Sequence, residues 1–103
     1  YTLATERNIR VMLGGAAFAV VMGLVLQLDL ISWAIVLLCI GVVLAAELIN
    51  TAIETVVDLV SPEYHPLAGH AKDIAAAAVY VLSILVALVG LAVFVNALIH
   101  RLA

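Results

Sequence analysis

A polar stripe follows one face of an otherwise apolar segment near the middle of the chain. Glu47, Asn50, Glu54 and Asp58 are spaced three, four and four residues apart, so on an α-helix they share a face about 80° wide. Carboxylate and amide oxygens are the ligands that a hard cation such as Mg²⁺ prefers. A carboxylate in apolar surroundings also holds a proton more readily than one in water, which suits it to act as a base. The stripe therefore indicates metal binding combined with proton transfer.

A lysine further along the chain extends this chemistry towards phosphate. Mg²⁺ is commonly held by one or two carboxylates together with substrate phosphates, and Lys72 offers a positive charge for phosphate oxygens. The set favours phosphoryl transfer, in which positioning and charge stabilisation are the main tasks. The nucleotide-binding patterns GxxxxGK[ST] and GxGxxG do not occur in the sequence. A solvated helix face would show the same spacing and stays open as an alternative, although Glu47, with apolar residues on both sides, fits it least.

The composition shows what must position these residues. Of the 103 residues, 68% are hydrophobic and 11% are charged, against about 45–50% and about 25% in ordinary soluble domains. Intrinsic disorder is excluded by the hydrophobicity, and a nucleic-acid partner by the net charge of −3 with only four Lys and Arg residues. A single cysteine, Cys39, excludes an internal disulfide and a cysteine-based zinc site. The chain is expected to be a small integral membrane protein.

Three long apolar runs predict an all-α fold with three transmembrane helices, at about residues 9–28, 30–60 and 70–100. Only Tyr80 and Ser83 interrupt the third run. Ser61 followed by Pro62 is typical of a helix N-cap with proline at the first helical position, so a short helical turn is expected there.

The basic residues predict the orientation. Three spans place Arg7, Arg10 and Lys72 on one side of the membrane and Arg101 on the other, so the first side is expected to be cytoplasmic. Asp29 then lies outside as a turn residue, and Arg101 is expected to anchor the outer interface.

The same orientation predicts the depth of the polar groups. Glu47 stands eighteen residues past Asp29, which is roughly 27 Å of helix across a hydrocarbon core about 30 Å thick. Glu47 is therefore expected near the inner membrane boundary, with the later members of the stripe projecting further inward. One plane at this boundary is expected to hold Glu6, Glu47, Lys72 and Asp73.

These segments together resemble a known family. The segments Glu47–Asp58, Ser61–His65 and Ala71–Val79 are similar to the small bacterial membrane diacylglycerol kinases. Within that family, Glu6–Asn8 and the Ser61–Pro66 loop look most like the undecaprenol kinase branch. The resemblance covers nearly the whole chain, and its motifs are long and specific.

The resemblance implies a homotrimer of three-span protomers with active sites between protomers in the bacterial cytoplasmic membrane. It implies transfer of the γ-phosphate of ATP to a lipid hydroxyl, with Mg²⁺, on the cytoplasmic side. By position, Glu47 matches the general base, and Glu6 and Glu54 match carboxylates that bind the metal and the nucleotide. The other matches to the nucleotide pocket are Glu63, Tyr64, His65, Lys72 and Asp73. Supporting polar roles are expected for Asn50, Asp58 and Arg10.

Alternatives remain at this stage. The acceptor is expected to be undecaprenol, with diacylglycerol as the alternative. A small proton-coupled transporter and a non-enzymatic assembly subunit are alternatives of other classes, although carboxylates gathered at one interface favour neither. The family begins with an amphipathic surface helix, whereas only Tyr1–Thr5 precede Glu6 here. Either the chain is a fragment or that helix is missing.

Overall fold

The protein is a bundle of three long α-helices. The computed structural model describes residues 2–63 and 65–102, with side chains from residue 7 onwards. Helix α1 spans Thr2–Leu26, α2 spans Leu30–Val60 and α3 spans Pro66–Leu102. Each contains a segment long and apolar enough to cross a membrane. The expectation of an all-helical chain with three long apolar helices is confirmed.

The helices are longer than a bilayer core requires. α2 has 31 residues and α3 has 37, which correspond to roughly 47 and 56 Å of helix, against a core of about 30 Å. Both helices therefore project beyond the hydrocarbon region. α2 packs mainly on α3, and α1 contacts both over a smaller surface. Most large apolar side chains are exposed on the single chain, as suits a lipid-facing surface.

The α1–α2 connection is a tight turn that seats a tryptophan against α1. Gln27 has a φ of 55°, and the Leu28 and Gln27 amides donate to the carbonyl oxygens of Gly23 and Leu24, which is the Schellman pattern of helix termination. A Cβ added at Gly23 would lie 2.7 Å from Cη2 of Trp33. Glycine at this position therefore allows the close approach of α2 to α1.

The α2–α3 connection differs from its sequence prediction. The Ser61 amide donates to the Val57 carbonyl oxygen at the end of α2, and the Ser61 hydroxyl donates to the Glu63 carbonyl oxygen. α3 begins at Pro66, and the Leu67 amide donates to Nδ1 of His65 at 3.1 Å. The prediction of a helical turn capped by Ser61 was wrong, because Ser61 completes α2 while His65 and Pro66 provide the cap and the first residue of α3.

Candidate functional site

The polar stripe on α2 contains the two polar side chains that are buried in the described part of the chain. Glu47 is 4% exposed and Asn50 is 8% exposed. They lie one helical turn apart on the face that α2 turns towards the other helices. Burying a carboxylate is unfavourable unless it is paired, ligated or protonated. The burial of Glu47 is therefore the strongest single indication of function in this structure.

Hydrogen bonding joins Asn50 to the next member of the stripe. The Asn50 side-chain amide donates to Oε1 of Glu54 at 2.8 Å, which orients that carboxylate. The carbonyl oxygen of the same side chain, Oδ1, is buried and has no hydrogen-bond partner among the described residues. An unsatisfied buried acceptor is rare in proteins and calls for an explanation such as an ion. Asn50 therefore holds Glu54 with one atom and presents an open oxygen ligand with another.

All three helices contribute to a groove around these groups, which has a volume of about 480 Å³. It is mixed in character, with charged and amide groups beside apolar side chains. From α1 it is lined by Arg7, Asn8, Val11 and Met12; from α2 by Glu47, Asn50 and Glu54; and from α3 by Ala76, Val79, Tyr80 and Ser83. We call this the inner groove.

A second cleft of about 350 Å³ lies where α2 meets the start of α3. Its polar lining residues are Asp58, Ser61, Glu63, His65, Lys72 and Asp73. Lys72 forms an ion pair with Asp58 through Nζ and Oδ1, and the two side chains are 39% and 44% exposed. Such exposed pairs contribute little, about 0–1 kcal/mol. Lys72 can therefore leave Asp58 for another anion with little loss of free energy. We call this the loop cleft.

The ion pair between Lys72 and Asp58 also fixes the register of α2 and α3. This register contradicts the prediction that the charged residues lie in a single plane. Glu47 stands eleven residues before Asp58 on α2, a separation of roughly 16 Å along the helix axis. Lys72 is at the level of Asp58, so Lys72 and Asp73 do not share a plane with Glu47. The prediction was wrong because α3 starts well before its apolar part, and Lys72 stands in the projecting end. The charged residues therefore form two layers, one at the level of Glu47 and one at the level of Asp58 and Lys72.

Most predicted site residues fall into one of these two places. Glu47, Asn50 and Glu54 meet in the inner groove, and the predicted nucleotide-binding residues Glu63, His65, Lys72 and Asp73 line the loop cleft with Asp58. Arg10 is exposed and lines neither. The side chain of Glu6 and the whole of Tyr64 lie outside the described residues.

Four residues that line the inner groove have no site role predicted from the sequence. These are Arg7, Asn8, Tyr80 and Ser83. A signal was present for two of them, because Tyr80 and Ser83 alone interrupt the third apolar run. Asn8 belongs to the Glu6–Asn8 segment that resembles the undecaprenol kinase branch, but its spacing alone predicted no site role.

The donor set of the inner groove fits a hard divalent cation. Within residues 7–63 and 65–102, no three His, Cys, Asp or Glu side chains cluster as a metal site. The groove does offer two carboxylates and the open Asn50 oxygen, all of them hard oxygen ligands. Mg²⁺ needs few protein ligands, because waters and substrate phosphates complete its coordination. Glu54 and Asn50 are thus the described residues suited to hold it.

Comparisons with known proteins point to one enzyme class. A model of the family described as prokaryotic diacylglycerol kinase matches residues 1–94. The undecaprenol kinase of Bacillus subtilis (strain 168) is 42% identical over 93 residues, covering 90% of this chain and 76% of that protein.

Two diacylglycerol kinases are nearly as similar. The protein of Synechocystis sp. is 41% identical, covering 87% of this chain and 52% of its own length. The protein of Escherichia coli (strain K12) is also 41% identical, covering 69% of this chain and 57% of its own length. No solved structure matches the chain.

Proposed function

Because the chain belongs to the prokaryotic diacylglycerol kinase family of membrane lipid kinases, we propose that it transfers the γ-phosphate of ATP to the hydroxyl of undecaprenol. The observation that carries the proposal is the buried Glu47, which opens with Asn50 and Glu54 into one groove. The undecaprenol acceptor is supported by the relative from Bacillus subtilis, of which this chain covers the largest share among the three relatives described. Family membership makes the chain an enzyme rather than a transporter or an assembly subunit.

The two layers of charged residues support separate binding positions for the nucleotide and for the lipid acceptor along the helices. The loop cleft is half exposed and carries Lys72, which can leave Asp58 for the phosphate oxygens of ATP. The inner groove continues from this level into the membrane, where a lipid alcohol approaches. In this arrangement the nucleotide lies in the loop cleft, with its terminal phosphate directed towards Glu54, and the acceptor hydroxyl lies at Glu47.

Glu47 is proposed to act as the general base. The acceptor oxygen attacks the γ-phosphorus, a new oxygen–phosphorus bond forms, and the bond between the γ-phosphorus and the bridging oxygen of ADP breaks. The proton of the acceptor hydroxyl passes to the Glu47 carboxylate, which lines the groove. Asn50 keeps the Glu54 carboxylate fixed through its hydrogen bond.

A divalent cation belongs to this proposal. Glu54 and the Asn50 carbonyl oxygen would hold Mg²⁺, and Glu6 is proposed as a further ligand. When bound, the ion supplies charge neutralisation at the phosphate oxygens. The protein residues supply the orientation and the base.

We also propose that the active unit is a homotrimer in the bacterial cytoplasmic membrane, with its site on the cytoplasmic side. The excess of basic residues at the inner ends of the helices supports this orientation. The inner groove of one chain is open, and the helices expose extensive apolar surface. A neighbouring protomer would close the groove.

The test is a side-by-side transfer of labelled γ-phosphate from MgATP to undecaprenol and to diacylglycerol in mixed micelles. Preferential labelling of undecaprenol is expected, and Glu54→Gln serves as the inactive control. Preferential labelling of diacylglycerol would keep the chemistry and overturn the acceptor. Labelling of neither lipid would contradict the proposed reaction.

A further inference from the structure

Ser83 is a polar residue deep in the apolar part of α3 that the chemistry above leaves unused. It is half-buried and lines the inner groove together with Glu47. The residues around it on α3 are apolar in both directions, apart from Tyr80 one turn earlier. A serine hydroxyl in an apolar stretch of helix is ordinarily satisfied by a carbonyl oxygen of its own helix or by a polar neighbour.

The helix register places Ser83 opposite Glu47. Asp58 and Lys72 are in contact, and the two helices run in opposite directions through a short connection. Glu47 lies eleven residues before Asp58 on α2, and Ser83 lies eleven residues after Lys72 on α3. Equal numbers of residues at the same rise bring both side chains to the same level, roughly 16 Å below the ion pair.

The hydroxyl of Ser83 differs from the threonine hydroxyls of α2. Thr51 and Thr55 donate to the carbonyl oxygens of Glu47 and Thr51 on their own helix, at 3.0 and 2.8 Å. Ser83 forms no hydrogen bond with any residue that the structure describes. Its hydroxyl is therefore available to a group that occupies the groove.

We propose that Ser83 binds the oxygen of the acceptor alcohol beside Glu47, an inference that rests on the proposed lipid kinase activity. The acceptor donates its own proton towards Glu47 and accepts a hydrogen bond from the Ser83 hydroxyl. One lone pair of the acceptor oxygen then remains for attack on phosphorus. Ser83 keeps its proton throughout and forms no covalent bond. Its role is to orient the hydroxyl of the lipid, so it acts on acceptor binding and not on ATP.

The first experiment measures transfer kinetics for variants at this position. Ser83→Ala is expected to raise KM for the lipid alcohol about fivefold, the size of one neutral hydrogen bond, with KM for ATP unchanged. Ser83→Thr keeps a hydroxyl and is expected to stay near the wild type. Valine has the shape of threonine without the hydroxyl, so Ser83→Val is expected to behave like Ser83→Ala. Ser32→Ala, at the other end of the bundle, is the matched control and leaves both KM values unchanged.

Two results would overturn the role of Ser83 without touching the proposed function. One is wild-type kinetics in both Ser83→Ala and Ser83→Val, and the other is an equal rise of both KM values. Loss of transfer in the wild type itself would instead contradict the proposed function.

A binding measurement is independent of turnover. The affinity of the purified protein in lipid nanodiscs is measured for a short isoprenoid alcohol and for the matching hydrocarbon without the hydroxyl. Ser83→Ala is expected to weaken binding of the alcohol about fivefold and to leave binding of the hydrocarbon unchanged. An equal loss for both ligands would assign Ser83 to packing and refute the proposal.

Discussion

A polar cleft at the end of the bundle that contains Asp29 and Arg101, the outer cleft, is similar in size to the inner groove, but the polar groups of the two are placed very differently. The outer cleft has a volume of about 430 Å³, close to the 480 Å³ of the inner groove. Its polar lining residues are Gln27, Asp29, Ser32, Asn96, His100 and Arg101. Five of these six are exposed and Ser32 is intermediate, whereas Glu47 and Asn50 of the inner groove are buried.

The two clefts also differ in whether their polar groups have hydrogen-bond partners. In the outer cleft, Nδ1 of His100 donates to the backbone carbonyl oxygen of Asn96 at 2.8 Å. Hydrogen bonding from Ser32, with a smaller contribution from His100, holds the pKa of Asp29 below its usual value. In the inner groove, the side-chain carbonyl oxygen of Asn50 is buried and has no hydrogen-bond partner among the described residues, and no buried side-chain atom of the outer cleft shares that condition. Neither size nor polarity therefore identifies the site; buried polar groups with unused bonding capacity do so.

The largest expected effect is that of Glu54→Gln. This nearly isosteric change removes a charged oxygen ligand, so metal-dependent transfer is expected to fall to background while the protein still folds and assembles. Transfer is measured across a Mg²⁺ titration, with Asp29→Asn in the outer cleft as the control that keeps full activity. Undiminished transfer by Glu54→Gln at saturating Mg²⁺ would remove Glu54 from the metal site.

Glu47→Gln is expected to lower kcat about 10²- to 10⁴-fold, the contribution of a general base. The affinity for ATP should change little, because the nucleotide is proposed to lie in the loop cleft. Steady-state kinetics together with ATP binding separate the two quantities. An equal loss of kcat and of ATP affinity would argue against the assignment of Glu47 as the base.

Lys72→Met and Arg101→Met form a matched pair of charge removals at opposite ends of the bundle. Lys72→Met is expected to raise KM for ATP about tenfold or more, the size of a lost charge-assisted hydrogen bond, and Arg101→Met is expected to leave it unchanged. Equal effects of the two changes would show that general electrostatics, not the loop cleft, governs nucleotide binding.

The outer turn is expected to affect stability and not catalysis. Gly23→Val places a side chain against the Trp33 ring and should destabilise the fold by about 1–3 kcal/mol. Gln27→Gly removes an unfavourable left-handed conformation and should stabilise it by about 1 kcal/mol. Thermal unfolding in detergent measures both changes. A kcat that fell in the properly folded Gln27→Gly variant would break the separation of the two ends.

The smallest effect concerns Asp29 and pH. Because the folded pKa lies below the ordinary value of 3.8, the carboxylate contributes stability above that pH and loses it as the pH falls through the lowered value. Asp29→Asn should therefore have a slightly lower Tm than the wild type at neutral pH, and the two Tm values should converge in acid. A constant difference at all pH values would exclude this linkage.

Much of this arrangement follows from local sequence patterns. Long apolar runs must form helices in lipid, since each backbone group needs an internal partner. The three- and four-residue spacing puts Glu47, Asn50 and Glu54 on one helical face regardless of the rest of the chain. Glu47 is also conspicuous by itself, as a carboxylate flanked by apolar residues. These features depend only on helix geometry and on the bilayer as a solvent.

Contacts between helices decided the rest. No spacing within one helix shows that Asp58 meets Lys72, that Ser83 stands level with Glu47, or that the charged residues form two layers. These depend on the register of antiparallel helices, which is set by where each helix starts and ends and by contacts such as Trp33 on Gly23. A shift of one turn is about 5.4 Å, enough to separate Ser83 from Glu47. The sequence by itself therefore determined the helices and their polar faces, and the tertiary structure determined which faces meet and at what depth, because register is a property of the packed helices together.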